Sequence, residues 1–131
     1  MTKQSAINTV KQADEELARD TFIRQAGADA LDTAKRLITQ DRAKDYGFVE
    51  KNFDMVAQYW TVYLRSILEF HGIDPETFAL DKHDCCVMMS LFKTARIFGP
   101  YKPDNYDDGM GYLALAKGMM SLEHDNDKER Q

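Results

Sequence analysis

The chain has 131 residues, enough for one domain with a single core, and its 44% hydrophobic and 30% charged content lies outside the regime of disordered proteins. With 22 acidic against 17 basic residues the net charge is −5, so no global electrostatic pull draws it to DNA or an anionic membrane, and any phosphate must be held by a local cationic cluster. The N-terminal MTKQSAINTV lacks an apolar signal core, and no segment approaches the roughly 18 consecutive apolar residues of a membrane span. A cytoplasmic protein with neither nucleic-acid nor membrane partners is expected.

Strand signals are few, and apolar residues recur three and four apart, which predicts an all-α, single-domain bundle of about five helices over residues 1–123 with a charged, frayed tail at 124–131. Ser5 is placed to cap a first helix on which Ile7, Val10, Ala13 and Leu17 follow helical spacing; it weakens near Gly27. A second helix, roughly 28–44, buries Leu31, Ala34, Leu37 and Ile38 and ends before a left-handed Gly47. The third and longest, from about Val49 to Phe70, carries Phe53, Ala57, Trp60, Tyr63, Leu64 and Ile67 as the spine of the core. Gly72 stops it, and Asp74-Pro75-Glu76 opens a short helical turn through Leu80. Asp81 and Asp84 suit a capping arrangement for a fourth helix that ends at Gly99-Pro100, and a fifth begins around Asn105.

Cys85 and Cys86 are neighbours on a helix, where their side chains point about 100° apart and cannot bridge, so they read as reduced core residues. The stretch 88–112 brings cations and carboxylates to one helix–helix corner. Lys93 and Arg96 stand at i, i+3 near a helix C-terminus, where they either complement the dipole or, with Lys102, form a cationic triplet for phosphate. Asp104 and Asp107 fit an N-cap and its capping-box partner, while Asp108 shares a face with Gly111, Tyr112 and Leu115. Glu50 and Asp54, at i, i+4, form a solvated face, or join Asp104 and Asp108 as oxygen ligands for Mg²⁺. Asp45-Tyr46-Gly47 and Asn52 mark a helix stop and restart, or offer a ring and hydrogen-bonding groups to a base and sugar. The sequence has no Gly-x-Ser-x-Gly, Walker loop or Gly-x-Gly-x-x-Gly, so hydrolase, kinase and dehydrogenase chemistry of those types finds no support.

The ordered series Lys44-Asp45-Tyr46-Gly47, Asn52-Phe53, Trp60 to Leu64, Met88 to Ile97 and Lys102 to Asp108 with Gly111-Tyr112 resembles a phage and prophage family of unknown function, some members of which carry a phosphofructokinase label. The resemblance covers residues 42–116 and implies a phage origin and an all-helical fold. Positions matching its pattern are Asp45, Tyr46, Gly47, Asn52, Lys93, Arg96, Asp104, Asn105, Asp108, Gly111 and Tyr112. The pattern is also loosely similar to MazG-like pyrophosphohydrolases and nucleotide-modification-associated helical domains, although the Glu-x-x-Glu helix of the MazG-like enzymes is missing.

The resemblance and the cationic corner together lead to an expected function: a phage protein, acting in the cytoplasm of an infected bacterium, that sequesters a cyclic or ADP-ribose-derived nucleotide and so counters host immune signalling. Lys93, Arg96 and Lys102 are expected on phosphate and Asp45, Tyr46, Asn52, Asp104 and Asp108 around sugar and base, with Asn105 and Tyr112 as further ligand-binding residues and no cofactor. One alternative is a Mg²⁺-dependent nucleotide pyrophosphohydrolase using Glu50, Asp54, Asp104 and Asp108; another is a protein–protein inhibitor without a small ligand. A homo-oligomer is expected, because the Met and aromatic residues exceed what one five-helix core requires.

Overall fold

The computed structural model describes residues 2–41 and 47–131. Four helices form: α1, Lys3–Arg36; α2, Val49–Phe70; α3, Lys82–Ala95; and α4, Pro103–Arg130. A π-turn, Leu37–Asp41, closes α1, and a 3₁₀ turn, Arg96–Phe98, extends α3. There is no strand among the described residues, as the periodicity predicts.

Residues read as two helices on either side of Gly27 form one. A glycine inside a helix costs only about 1 kcal/mol relative to Ala, and Ala26, Ala28 and Ala30 around it are strong helix formers. Thr2 is the N-cap, its Oγ1 accepting from the Ser5 amide at 3.1 Å, so Ser5 lies inside the first turn. The lower end is different: the Leu37 amide bonds to the carbonyls of both Ala34 and Thr33 before the chain widens into the π-turn.

α2 has the predicted bounds, and the glycines flanking it, Gly47 and Gly72, have φ of 70° and 72°, a region that L side chains rarely adopt. Beyond Gly72 the predicted helical turn is absent. Asp74 Oδ1 accepts from the Glu76 amide, and the Phe78 amide donates to the Pro75 carbonyl, leaving a tight turn only. Side chains from α2 then draw this loop out of helical geometry: Arg65 Nε donates to the Phe78 carbonyl at 2.7 Å, and Thr61 Oγ1 accepts from the Leu80 amide at 2.9 Å. Asp81 and Asp84 form the reciprocal capping box that starts α3.

α4 begins at Pro103 with Lys102 at the N-cap and no side-chain cap. The predicted cap at Asp104 and box partner at Asp107 are therefore displaced, because proline fixes the first helical position itself. Residues 124–130, expected to fray, continue α4 to Arg130.

The core is narrow. Phe53 and Ala57 of α2, Cys85 and Cys86 of α3, and Ala116 and Met119 of α4 are buried together, with Trp60, Val87, Met89, Tyr112 and Leu115 packed around them. Both cysteines are free and fully enclosed; burial pushes both thiols up, Cys86 to about 12, so neither is a thiolate near neutrality. α3 is the central helix. Ser90 Oγ donates to the Gly109 carbonyl of α4 at 2.9 Å, and Lys82 of α3 meets Glu50 of α2 at 2.6 Å. Two parts of the predicted core are outside it. Tyr63 is 67% exposed, and Val10, Leu17 and Leu31 of α1 are each at least 60% exposed, because α1 meets the body only near its C-terminal end.

Candidate functional site

The N-terminal half of α4 presents Asp107, Asp108, Gly111, Tyr112 and Leu115 to a cavity of about 50 Å³, completed by Leu37 and Ile38 of the π-turn and Val49 of α2. The π-turn matters here because its wider backbone carries Leu37 and Ile38 onto α4, and such turns recur at functional sites. Contact is closest at Gly111, where a Cβ would stand 3.1 Å from Ile38 Cγ2. Gly111→Ala is accordingly expected to destabilise the fold by about 1–3 kcal/mol through overpacking. Gly109→Ala, whose Cβ would meet Lys93 Cβ at an ordinary 3.5 Å, escapes that penalty. Urea unfolding of the two variants separates them.

Polar groups enter this apolar setting from α3 and α4. Lys93 Nζ lies 2.9 Å from Asp108 Oδ2, with side-chain exposures of only 17% and 9%. Asp107, next to it, has its carboxyl pushed above the usual range, first by burial and then by the charges of Asp104 and Asp108. A raised carboxyl favours folding while protonated, and that contribution is lost as pH rises through the carboxylate range. Asp107→Asn is therefore expected to stabilise the protein at neutral pH and to flatten this part of its pH–stability profile, measurable by thermal melts from pH 4 to pH 7. Tyr112 meets Phe53 edge-on, ring centroids 6.2 Å apart, which fixes the phenol ring at the cavity wall. Asn105 is buried one turn before Asp108 and Gly109.

The predicted cationic triplet is divided. Lys93 turns inward to Asp108, whereas Arg96 and Lys102 are exposed, and among the described residues neither makes an ion pair. Arg96 instead lays its guanidinium over the Phe92 ring, 4.6 Å from the centroid. The α3–α4 corner exposes three more rings. Phe98 is 92% exposed, Tyr101 78% and Tyr106 44%, and the two tyrosine rings approach to 6.1 Å. Sequence spacing places Phe98 in one helical row with Met88, Leu91 and Ala95, yet it is exposed beyond the end of α3, and Tyr101, in the turn, has no period to mark its direction.

Other predicted residues lie apart. Asn52 lines an open depression with Gly47, Phe48, Lys51 and Met55, away from the α4 cavity. Asp104 is exposed in the first turn of α4, and Asp45 and Tyr46 lie outside the described residues. Glu50, Asp54, Asp104 and Asp108 do not converge; Glu50 is held by Lys82 and Asp108 by Lys93. Among the described residues, the group of acids and histidine that does converge is Asp81, His83 and Asp84. Its two carboxylates are the capping box of α3.

A family model described as Domain of unknown function (DUF6378) matches residues 29–120, a span containing the cavity and the whole α3–α4 corner. The Gene 55 protein of Mycobacterium phage L5 is 36% identical over 90 residues, 68% of this chain and 51% of that protein. The chain thus spans about half the length of this curated relative. No solved structure matches. Among the described residues no helix is long and apolar enough to cross a membrane.

Proposed function

The chain belongs to the phage family described as Domain of unknown function (DUF6378), and from that premise we propose that it binds a small phosphorylated nucleotide at the α3–α4 corner and retains it without turnover. The observation that carries this reading is a pair of exposed cations at this corner: Arg96 over the ring of Phe92, and Lys102 next in the chain to Tyr101, whose ring meets that of Tyr106. Arg offers phosphate two parallel donors, Lys adds a point charge, and an aromatic face stacks on a base. Asp104, exposed in the first turn of α4, accepts from a ribose hydroxyl. Lys93 serves differently from the role its sequence position suggests. Its ammonium neutralises Asp108 and thereby orders the start of α4 beneath the ligand.

Asp108 and Tyr112 line the α4 cavity and Asn105 is buried one turn before Asp108, so these three support the corner from within the fold, while Asn52 lies in a separate depression. We place the ligand among the cyclic or ADP-ribose-derived nucleotides, which combine phosphate charge with a stackable base, and the consequence of capture is the silencing of a host immune signal. The form that captures it is a homo-oligomer. Retention is favoured over hydrolysis because Glu50 and Asp108, two of the four acids that the pyrophosphohydrolase alternative needs, are engaged by Lys82 and Lys93.

The test is incubation with a panel of mononucleotides, cyclic nucleotides and ADP-ribose derivatives, with and without Mg²⁺, followed by heat denaturation and analysis of what is released. Recovery of one ligand intact supports capture. Mg²⁺-dependent products move the chain to the hydrolase alternative, and release of nothing from any member of the panel refutes nucleotide binding.

A further inference from the structure

Packing of α2, α3 and α4 leaves two apolar surfaces uncovered. On α1, residues 7–29 are exposed throughout, and Ala6, Val10, Ala13 and Leu17, spaced four, three and four apart, form one row. The positions that continue this row are Asp20, Arg24 and Gly27, the first two joined in an ion pair, before Leu31, Ala34 and Ile38 at the end that packs on α4, so the bare apolar stretch is Ala6 to Leu17. The opposite face is polar and self-satisfied, with Gln4 bonded to Asn8 and Gln12 to Glu16. The second surface is a groove of about 270 Å³ between α2 and α3, lined by Trp60, Tyr63, Leu64 and Met88. It has no charged wall, just as the α1 row has no charge between Ala6 and Leu17.

The size of this uncovered surface points to its occupant. The chain exposes 10529 Å², whereas a compact monomer of its 15.1 kDa exposes roughly 7,100 Å². The excess, about 3,400 Å² per copy, is more than the roughly 1,000–2,500 Å² that each partner of an obligate homodimer buries, so the uncovered surface is ample for one. One copy cannot use it alone, because α1 is a single uninterrupted helix from Lys3 to Arg36 and its first half has no turn by which to fold back over α2 and α3.

We propose that the N-terminal part of α1 from a second copy of this chain lies in the α2–α3 groove, with the exchange reciprocated about a two-fold axis. Val10 and Leu17 enter between Trp60, Tyr63 and Met88, and the small Ala6 and Ala13 let the helix approach the large rings closely. The exchange supplies a fourth helix to each three-helix body and closes as a dimer. It stands independently of the nucleotide reading.

Light scattering of the full chain at micromolar concentration is expected to give twice the chain mass. Leu17→Asp, in the donor row, and Tyr63→Asp, in the groove, are each expected to yield monomers; both positions are exposed, so circular dichroism retains the helical signature. Mixing the two variants in equal amounts restores a dimer through the one intact donor and the one intact groove. A monomeric unaltered chain, a larger assembly, a dimer that survives either substitution, or variants that stay monomeric on mixing would each overturn the proposal. A dimer that survives Tyr63→Asp but not Leu17→Asp would point to direct α1–α1 pairing.

Discussion

Lys93→Ala is expected to lower the unfolding free energy by roughly 3 kcal/mol, the low end of the loss seen when one member of a largely buried ion pair is removed. The cost arises mainly from what remains. Asp108 is 9% exposed and loses its Lys93 partner in a wall that also holds Asp107. Lys93→Met/Asp108→Leu removes the charged pair together and is expected to cost less than the sum of the two single changes, a coupling that a double-mutant cycle reads directly. Equal and additive losses would show that the pair is a surface contact in energetic terms, despite its burial.

Arg96→Ala is expected to weaken nucleotide binding by about 10- to 100-fold, the range for loss of a charged hydrogen-bonding partner of 1.5–3 kcal/mol. Its stability should barely change, since the guanidinium is exposed and lies over the Phe92 face. Arg96→Lys retains charge but not the two-donor fork, so it should recover part of the affinity and no more. Isothermal titration of the three proteins gives both numbers, and raising the salt concentration should weaken the unaltered chain more than Arg96→Ala. Binding that is indifferent to Arg96 removes this residue from the site.

The bounds of α2 follow from an unbroken apolar period between two glycines, and the start of α3 follows from Asp81 and Asp84; both signals are local, so both are legible in sequence. Helix continuity across Gly27 is a matter of small energies, in which a glycine loses to surrounding alanines. The loop after Gly72 is decided from a distance, by Thr61 and Arg65 reaching it from α2. The same distinction governs the site. Lys93 and Arg96, three residues apart on one helix, look equivalent until α4 brings Asp108 to one of them and leaves the other beside Phe92. Membership of a phage family was legible because motifs recur in order, while the direction in which each motif residue points depends on contacts made across the fold.

Nucleotide capture at the α3–α4 corner is tested most directly by NMR of the isotopically labelled chain, titrated with each member of the nucleotide panel. The predicted result is saturable perturbation of the Arg96 side-chain Nε–H and of the Tyr101 and Tyr106 ring signals, with residues around Asn52 unmoved. Spectra unchanged by every member of the panel, or shifts confined to the depression around Asn52, would contradict it.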